Sequence, residues 1–165
     1  MRKDRDTMKK MVAFLLVMVI LLSACSNSHK FRVGESMSSI NKEYAAYIML
    51  NTLSAYKING NYLIAIEDGG TIQKLAEFSP DRKCRRIQGV DLLKGNGISQ
   101  FLNANFNDLA EKIGQPHADV GSGFYIPAYI TEDANLICFE LENEIVIEVI
   151  RRDLLTNEIV DRVSN

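Results

Sequence analysis

Hydrophobic and polar positions along this chain change their rhythm several times, and each change marks a segment. The longest unbroken apolar run is Met11 to Leu22, twelve residues, closed by the small pair Ser23-Ala24 and then Cys25. From Ser36 to about Tyr56 the apolar positions Met37, Ile40, Tyr44, Tyr47, Ile48 and Tyr56 recur at three- and four-residue steps. That spacing, with Ala45 and Ala46 favouring helix, predicts a long amphipathic helix capped by Ser36, Ser38 or Ser39 and ended by Asn59-Gly60-Asn61. Two β-prone runs, Tyr62–Ile66 and Thr71–Phe78, flank Asp68-Gly69-Gly70 and predict a hairpin. Ser79-Pro80-Asp81 is a further turn before a third strand within Cys84–Gly89.

Lys94-Gly95-Asn96-Gly97 punctuates the chain, and helical spacing resumes beyond it. Ile98, Phe101 and Leu102 predict a short turn of helix. A second helix is expected from about Asn107 to Ile113, capped by Asn105 or Asn107 and stopped by Gly114 and Pro116. Phe124 to Thr131 then alternates, with Phe124, Ile126, Ala128 and Ile130 on one face and Tyr125, Pro127, Tyr129 and Thr131 on the other. Pro127 marks an edge or a bulge there. Leu136–Leu141 and Ile145–Ile150 bracket Glu142-Asn143-Glu144. Taking all three as loop puts Ile137, Phe139, Leu141, Ile145, Ile147 and Val149 on one surface, and Leu136, Cys138, Glu140, Val146, Glu148 and Ile150 on the other. The tail from Asp153 to Asn165 holds enough apolar residues for a closing helix or strand.

The leading apolar run is too short for a comfortable membrane span, which takes about 20 residues. Arg2, Lys3, Arg5, Lys9 and Lys10 precede it as a basic region. Basic residues, apolar run, small pair and cysteine together resemble a bacterial lipoprotein signal with its lipobox, and a plain signal peptide or an uncleaved signal anchor is the alternative. The resemblance implies cleavage after Ala24 and transfer of a diacylglyceryl group to the Cys25 thiol. The chain would then be held on the outer side of a cell membrane by two acyl chains, enough for a durable anchor. Ser26 to Lys30 and the residues up to 35 read as a polar tether.

Removing residues 1–24 takes five basic and two acidic residues from the 19 and 21 of the whole chain, leaving a formal charge of −5. An acidic domain of this kind argues against a nucleic-acid partner. Cys84 and Cys138 remain after lipidation, and the apolar setting of Cys138 favours a buried free thiol over a disulfide. The two histidines, His29 and His117, stand in no metal-ligand spacing, so neither a metal nor a cofactor is expected. Gly121-Ser122-Gly123 lacks the pattern of a nucleophile elbow or a phosphate loop and reads as a turn. The basic cluster Arg82, Lys83, Arg85 and Arg86 reads as the blunting of an edge strand ahead of an anion site.

Residues Asn107 to Ile150, with Ile113-Gly114-Gln115-Pro116, then Gly121-Ser122-Gly123, a tyrosine-bearing strand and two more strands, are similar to the SmpA/OmlA family of small envelope lipoproteins and its β-lactamase-inhibitor-protein-like relatives. The resemblance implies a helix packed on an antiparallel sheet. The expected fold is therefore α+β, with helices on one face of an antiparallel sheet. The expected organisation is a signal (1–24), a lipidated tether (25–35), a helix-plus-meander half (36–94), the SmpA/OmlA-like half (98–152) and a tail (153–165). The shared order of helix then three strands, in 36–89 and 107–152, suggests a tandem repeat forming one continuous sheet. The functional expectation is a non-enzymatic lipoprotein that binds a protein or an envelope component through Gly121, Ser122, Gly123, Tyr125 and Tyr129, since tyrosine is enriched at interfaces. An envelope hydrolase or a small-ligand-binding lipoprotein is the alternative.

Overall fold

The computed structural model describes residues 30–95 and 97–165. The expected signal, its cleavage point at Ala24, the expected lipidation site Cys25 and residues 26–29 of the tether lie outside the described residues. Residues 32–165 form one compact unit. Among the described residues no helix is long and apolar enough to cross a membrane.

Helix α1 is a single turn, Met37–Asn41, capped by the Ser36 side chain, which accepts from the Ser38 N–H. Five strands follow in a meander: β1 Ala46–Leu50, β2 Leu53–Ile58, β3 Asn61–Asp68, β4 Thr71–Phe78 and β5 Cys84–Gln88. The expected helix over 36–56 is therefore wrong beyond its first turn. Leu50 stands opposite Leu53, so Asn51-Thr52 is a two-residue turn between β1 and β2, and Ile48, Leu53 and Ala55 join one apolar cluster. Helix propensity is a weak lever against such burial. Asn59-Gly60 likewise ends no helix. With Ile58 opposite Asn61 and φ of 51° and 82°, it makes a tight hairpin turn that suits strand twist. The Gly69-Gly70 hairpin and the strand at Cys84 stand where the sequence put them.

The second half begins with a 3-10 turn, Ile98–Phe101, and helix α2, Phe106–Ile113. Asn105 caps α2 by accepting from the Asn107 and Asp108 N–H groups, and Gly114 ends it at φ 92°. Strands β6 Ala118–Asp119, β7 Pro127–Ile130, β8 Asn135–Glu142, β9 Ile145–Asp153 and β10 Ile159–Ser164 form a second antiparallel sheet in the order β10-β9-β8-β7-β6. The tail is thus a strand. Two sheets replace the one continuous sheet expected of a tandem repeat, which overturns that reading. The coarse class holds in part, as two antiparallel sheets with two α-helices among the described residues.

Both sheets contribute to one buried cluster, with Ile48, Ile64, Ala76 and Phe78 from the first and Ala128, Ile130, Leu136 and Cys138 from the second. The alternate residues Tyr129, Ile137, Phe139, Val146 and Val149 share a second cluster with Phe106, Leu109 and Ala110 of α2. Two-sided burial explains why Leu136–Phe139 of β8 forms an unbroken apolar run instead of alternating. It also corrects the strand expected over Phe124–Thr131. Only Pro127–Ile130 is strand, and all four residues are buried. Pro127, with no N–H to give, sits at the strand's first position opposite Asp119, one residue before pairing with β8 begins at Ala128.

The β8–β9 turn is two residues, Asn143-Glu144 at φ 49° and 64°, because Glu142 stands opposite Ile145 and Leu141 opposite Val146. A β-bulge between Glu140 and Leu141 then absorbs Ile147. The expected three-residue loop is therefore wrong. Val146, not Ile145 or Ile147, joins Phe139 and Val149, whereas the other predicted facings around Leu136–Leu141 hold. Bulges add one residue to one strand, and sequence period alone does not locate them.

Candidate functional site

Between β6 and β7 the chain makes the loop 120–126, which carries the glycine motif. One carboxylate closes it. Asp119 Oδ1 accepts the backbone N–H groups of Gly121 at 2.9 Å and Ile126 at 3.0 Å, and the Val120 N–H donates to the Ile126 carbonyl at 3.0 Å. An aspartate accepting from the residue two positions on is a recognised turn device, and here it spans both ends of the loop. The same carboxylate reaches the first sheet, its Oδ2 accepting from Asn51 Nδ2 at 2.8 Å. Thr52 donates its hydroxyl and its N–H to the Asp119 carbonyl at 2.9 and 3.1 Å, so the β1–β2 turn is bolted to the loop's base.

The loop's own residues have unequal roles. Gly121 is buried, and a Cβ there would stand 1.7 Å from the Phe124 carbonyl oxygen, so only glycine fits the crossing. Ser122 and Gly123 are exposed, with Gly123 at φ 95°. Phe124 and Tyr125 project outward, 66% and 54% exposed. Tyr129, grouped with them on sequence, is fully buried at 0% and belongs to the core. Its hydroxyl donates to the Gly114 carbonyl at 2.7 Å, and its ring meets Phe139 edge-on at 5.7 Å. Strand alternation put both tyrosines on one face, but Tyr125 precedes the strand and follows the loop instead.

Three surface depressions, of about 460, 480 and 370 Å³, meet at Tyr125. The first lies between α2 and the β8–β9 turn, with Phe106, Glu111, Leu141 and Glu144. The second is the hollow of the loop itself, with Asn51, Ser122 and Phe124. The third runs toward the end of β3, with Glu67, Asp68, Lys74 and His117. Lys74 Nζ donates to the Pro116 and His117 carbonyls at 3.2 and 3.0 Å, and burial lowers its pKa.

His117 and Ser122 line different depressions. Nδ1 of His117 accepts the Ile130 N–H at 2.8 Å. Burial, and secondarily the Lys74 ammonium, push its pKa down to about 4, against a partial offset from a hydrogen bond to the Asp91 backbone. The ring is neutral at pH 7 and serves to hold β7. Among the described residues no three His, Cys, Asp or Glu side chains gather as a metal site. Cys84 and Cys138 are free thiols, and burial pushes Cys138 up to about 12.

The basic cluster is largely tied down. Arg82 pairs with Asp153, Lys83 with Asp81 at 2.8 Å, and Arg86 faces Glu77 at 3.9 Å, while β5 is an edge of its sheet. Comparison of the chain with family models, with curated proteins and with solved structures gives no match. Asp119 and Phe124 are the site residues that sequence reasoning missed. The Asp-x-Gly step at 119–121 was the available signal.

Proposed function

We propose that this is a lipoprotein of the bacterial cell envelope, anchored in the outer leaflet side of the cell membrane through a diacylglyceryl group on Cys25. In this reading it acts by binding a protein or envelope component and performs no catalysis. The domain is of α+β type, with α2 laid on one face of the second sheet. The binding surface is the tip of the loop, Ser122 to Tyr125, and not the wider set that included Tyr129. The observation that carries the reading is the pairing of exposure with rigidity. Phe124 and Tyr125 stand 66% and 54% open on a loop whose two ends share one carboxylate. Aromatic side chains presented without conformational cost are effective interface anchors. The lipobox pattern at Leu22–Cys25 and the likeness of Asn107–Ile150 to small envelope lipoproteins support the placement.

A photo-crosslinking amino acid at position 124 of the full chain, expressed in a bacterium that processes lipoproteins, tests this. The expected result is a discrete crosslinked species in the membrane fraction that weakens with Tyr125→Ala and is absent when the crosslinker is moved to exposed Thr156. Equal crosslinking at both positions, or none at 124, overturns the reading.

A further inference from the structure

We propose that the grooves on either side of Tyr125 receive a basic, extended segment of the partner protein, with one of its cationic side chains over the Tyr125 ring. The inference rests on reading the loop tip as partner-facing, and it adds the chemistry of what is bound.

Charge and shape carry it. The depression on the α2 side offers Glu111 and Glu144, and the one toward β3 offers Glu67 and Asp68. Among the described residues none of these four carboxylates forms an ion pair. Among the described residues the single cation lining either groove is Lys74, and its ammonium is committed to two backbone carbonyls. Tyr125 is the shared wall, more than half open, and Gln115 borders both grooves beside it. An exposed aromatic ring between two sets of unpaired carboxylates attracts a Lys or Arg through its face and its surroundings together. Phe124, at the neighbouring tip, adds apolar area that an ion or a bare polyamine would leave uncovered, so a peptide with small or apolar residues between basic ones fits best. The two grooves meet at one ring, which suits a chain that passes over it and sends basic side chains to both flanks.

The test uses the full chain in non-ionic detergent and a fluorescent octapeptide alternating Lys and Ala, beside its Gln and Ala counterpart. Anisotropy should show the Lys peptide binding about tenfold more tightly, with the advantage shrinking as salt rises. Glu111→Gln with Glu144→Gln should weaken it about fivefold, and Tyr125→Ala about threefold. Glu132→Gln with Asp161→Asn, exposed acids outside the grooves, should change nothing, and all variants should melt as the parent does. Equal affinity for the two peptides, or equal loss in the distant double variant, overturns the assignment. So does displacement by spermine as effective as by unlabelled peptide. If crosslinking at 124 still captures a partner while these results fail, the basic chemistry is wrong and the loop remains the site. If 124 captures nothing, the reading of the loop itself falls.

Discussion

His117 is held neutral inside the molecule, and that leaves a pH signature. Its ring titrates near 6.5 when unfolded but, buried, resists protonation down to about 4. Between those values the unfolded chain binds more protons than the folded one. Stability present above about pH 6.5 should thus fall progressively toward pH 4, by up to about 3 kcal/mol. Urea melts at pH 7, 5.5 and 4 measure it, and His117→Asn, which keeps an acceptor for the Ile130 N–H, should flatten that part of the curve. The two tyrosines separate just as sharply. Tyr129→Ala empties a fully buried site and should cost about 3–5 kcal/mol. Tyr125→Ala should leave the unfolding free energy within about 0.5 kcal/mol of the parent, by calorimetry. Sequence alternation assigned both to one surface because it sees parity along a strand, not where the strand starts. Asp119 escaped notice for a related reason, since its work is done on backbone N–H groups that composition does not reveal.

Loop 120–126 behaves as an element in its own right, fixed by Asp119 to itself and to the Asn51-Thr52 turn. Asp119→Ala leaves the Gly121 and Ile126 N–H groups without their acceptor and should cost about 1–3 kcal/mol. Amide exchange should rise most at those two residues, and any partner capture through Phe124 should weaken even where the chain stays folded. Unchanged exchange there would show the carboxylate to be incidental. Elements were legible where local chemistry was unambiguous. Asn105 and Gly114 bounded α2, and Gly69-Gly70 set its hairpin. They were misread where one signal serves two structures. Asn59-Gly60 suits a helix end and a hairpin alike, and the three- and four-residue spacing of Met37, Ile40 and Tyr44 extended a one-turn helix through two strands. At Glu142–Glu144 charge segregation favoured a longer loop, and the bulge at Ile147 supplied the missing register step instead.

At the scale of the whole molecule, a domain built from two meanders carries its aromatic tip where β6, β7 and the β1–β2 turn meet. The division into two sheets was invisible in the pattern, because hydrophobic period reports that a strand is buried and not which sheet it joins. Burial of all of β7 and of β8 as far as Phe139 marks them as interior strands and leaves the choice of sheet open. The proposed partner surface works only where the domain is held at a membrane, so the proposed tether on Cys25 is the point to measure. Intact-mass analysis of the native protein purified from membranes measures that directly. The expected species is a chain beginning at Cys25 with the added mass of a diacylglyceryl group, lost from membranes in Cys25→Ala. A chain that retains residues 1–24, or one starting at Cys25 with no acyl mass, would contradict it.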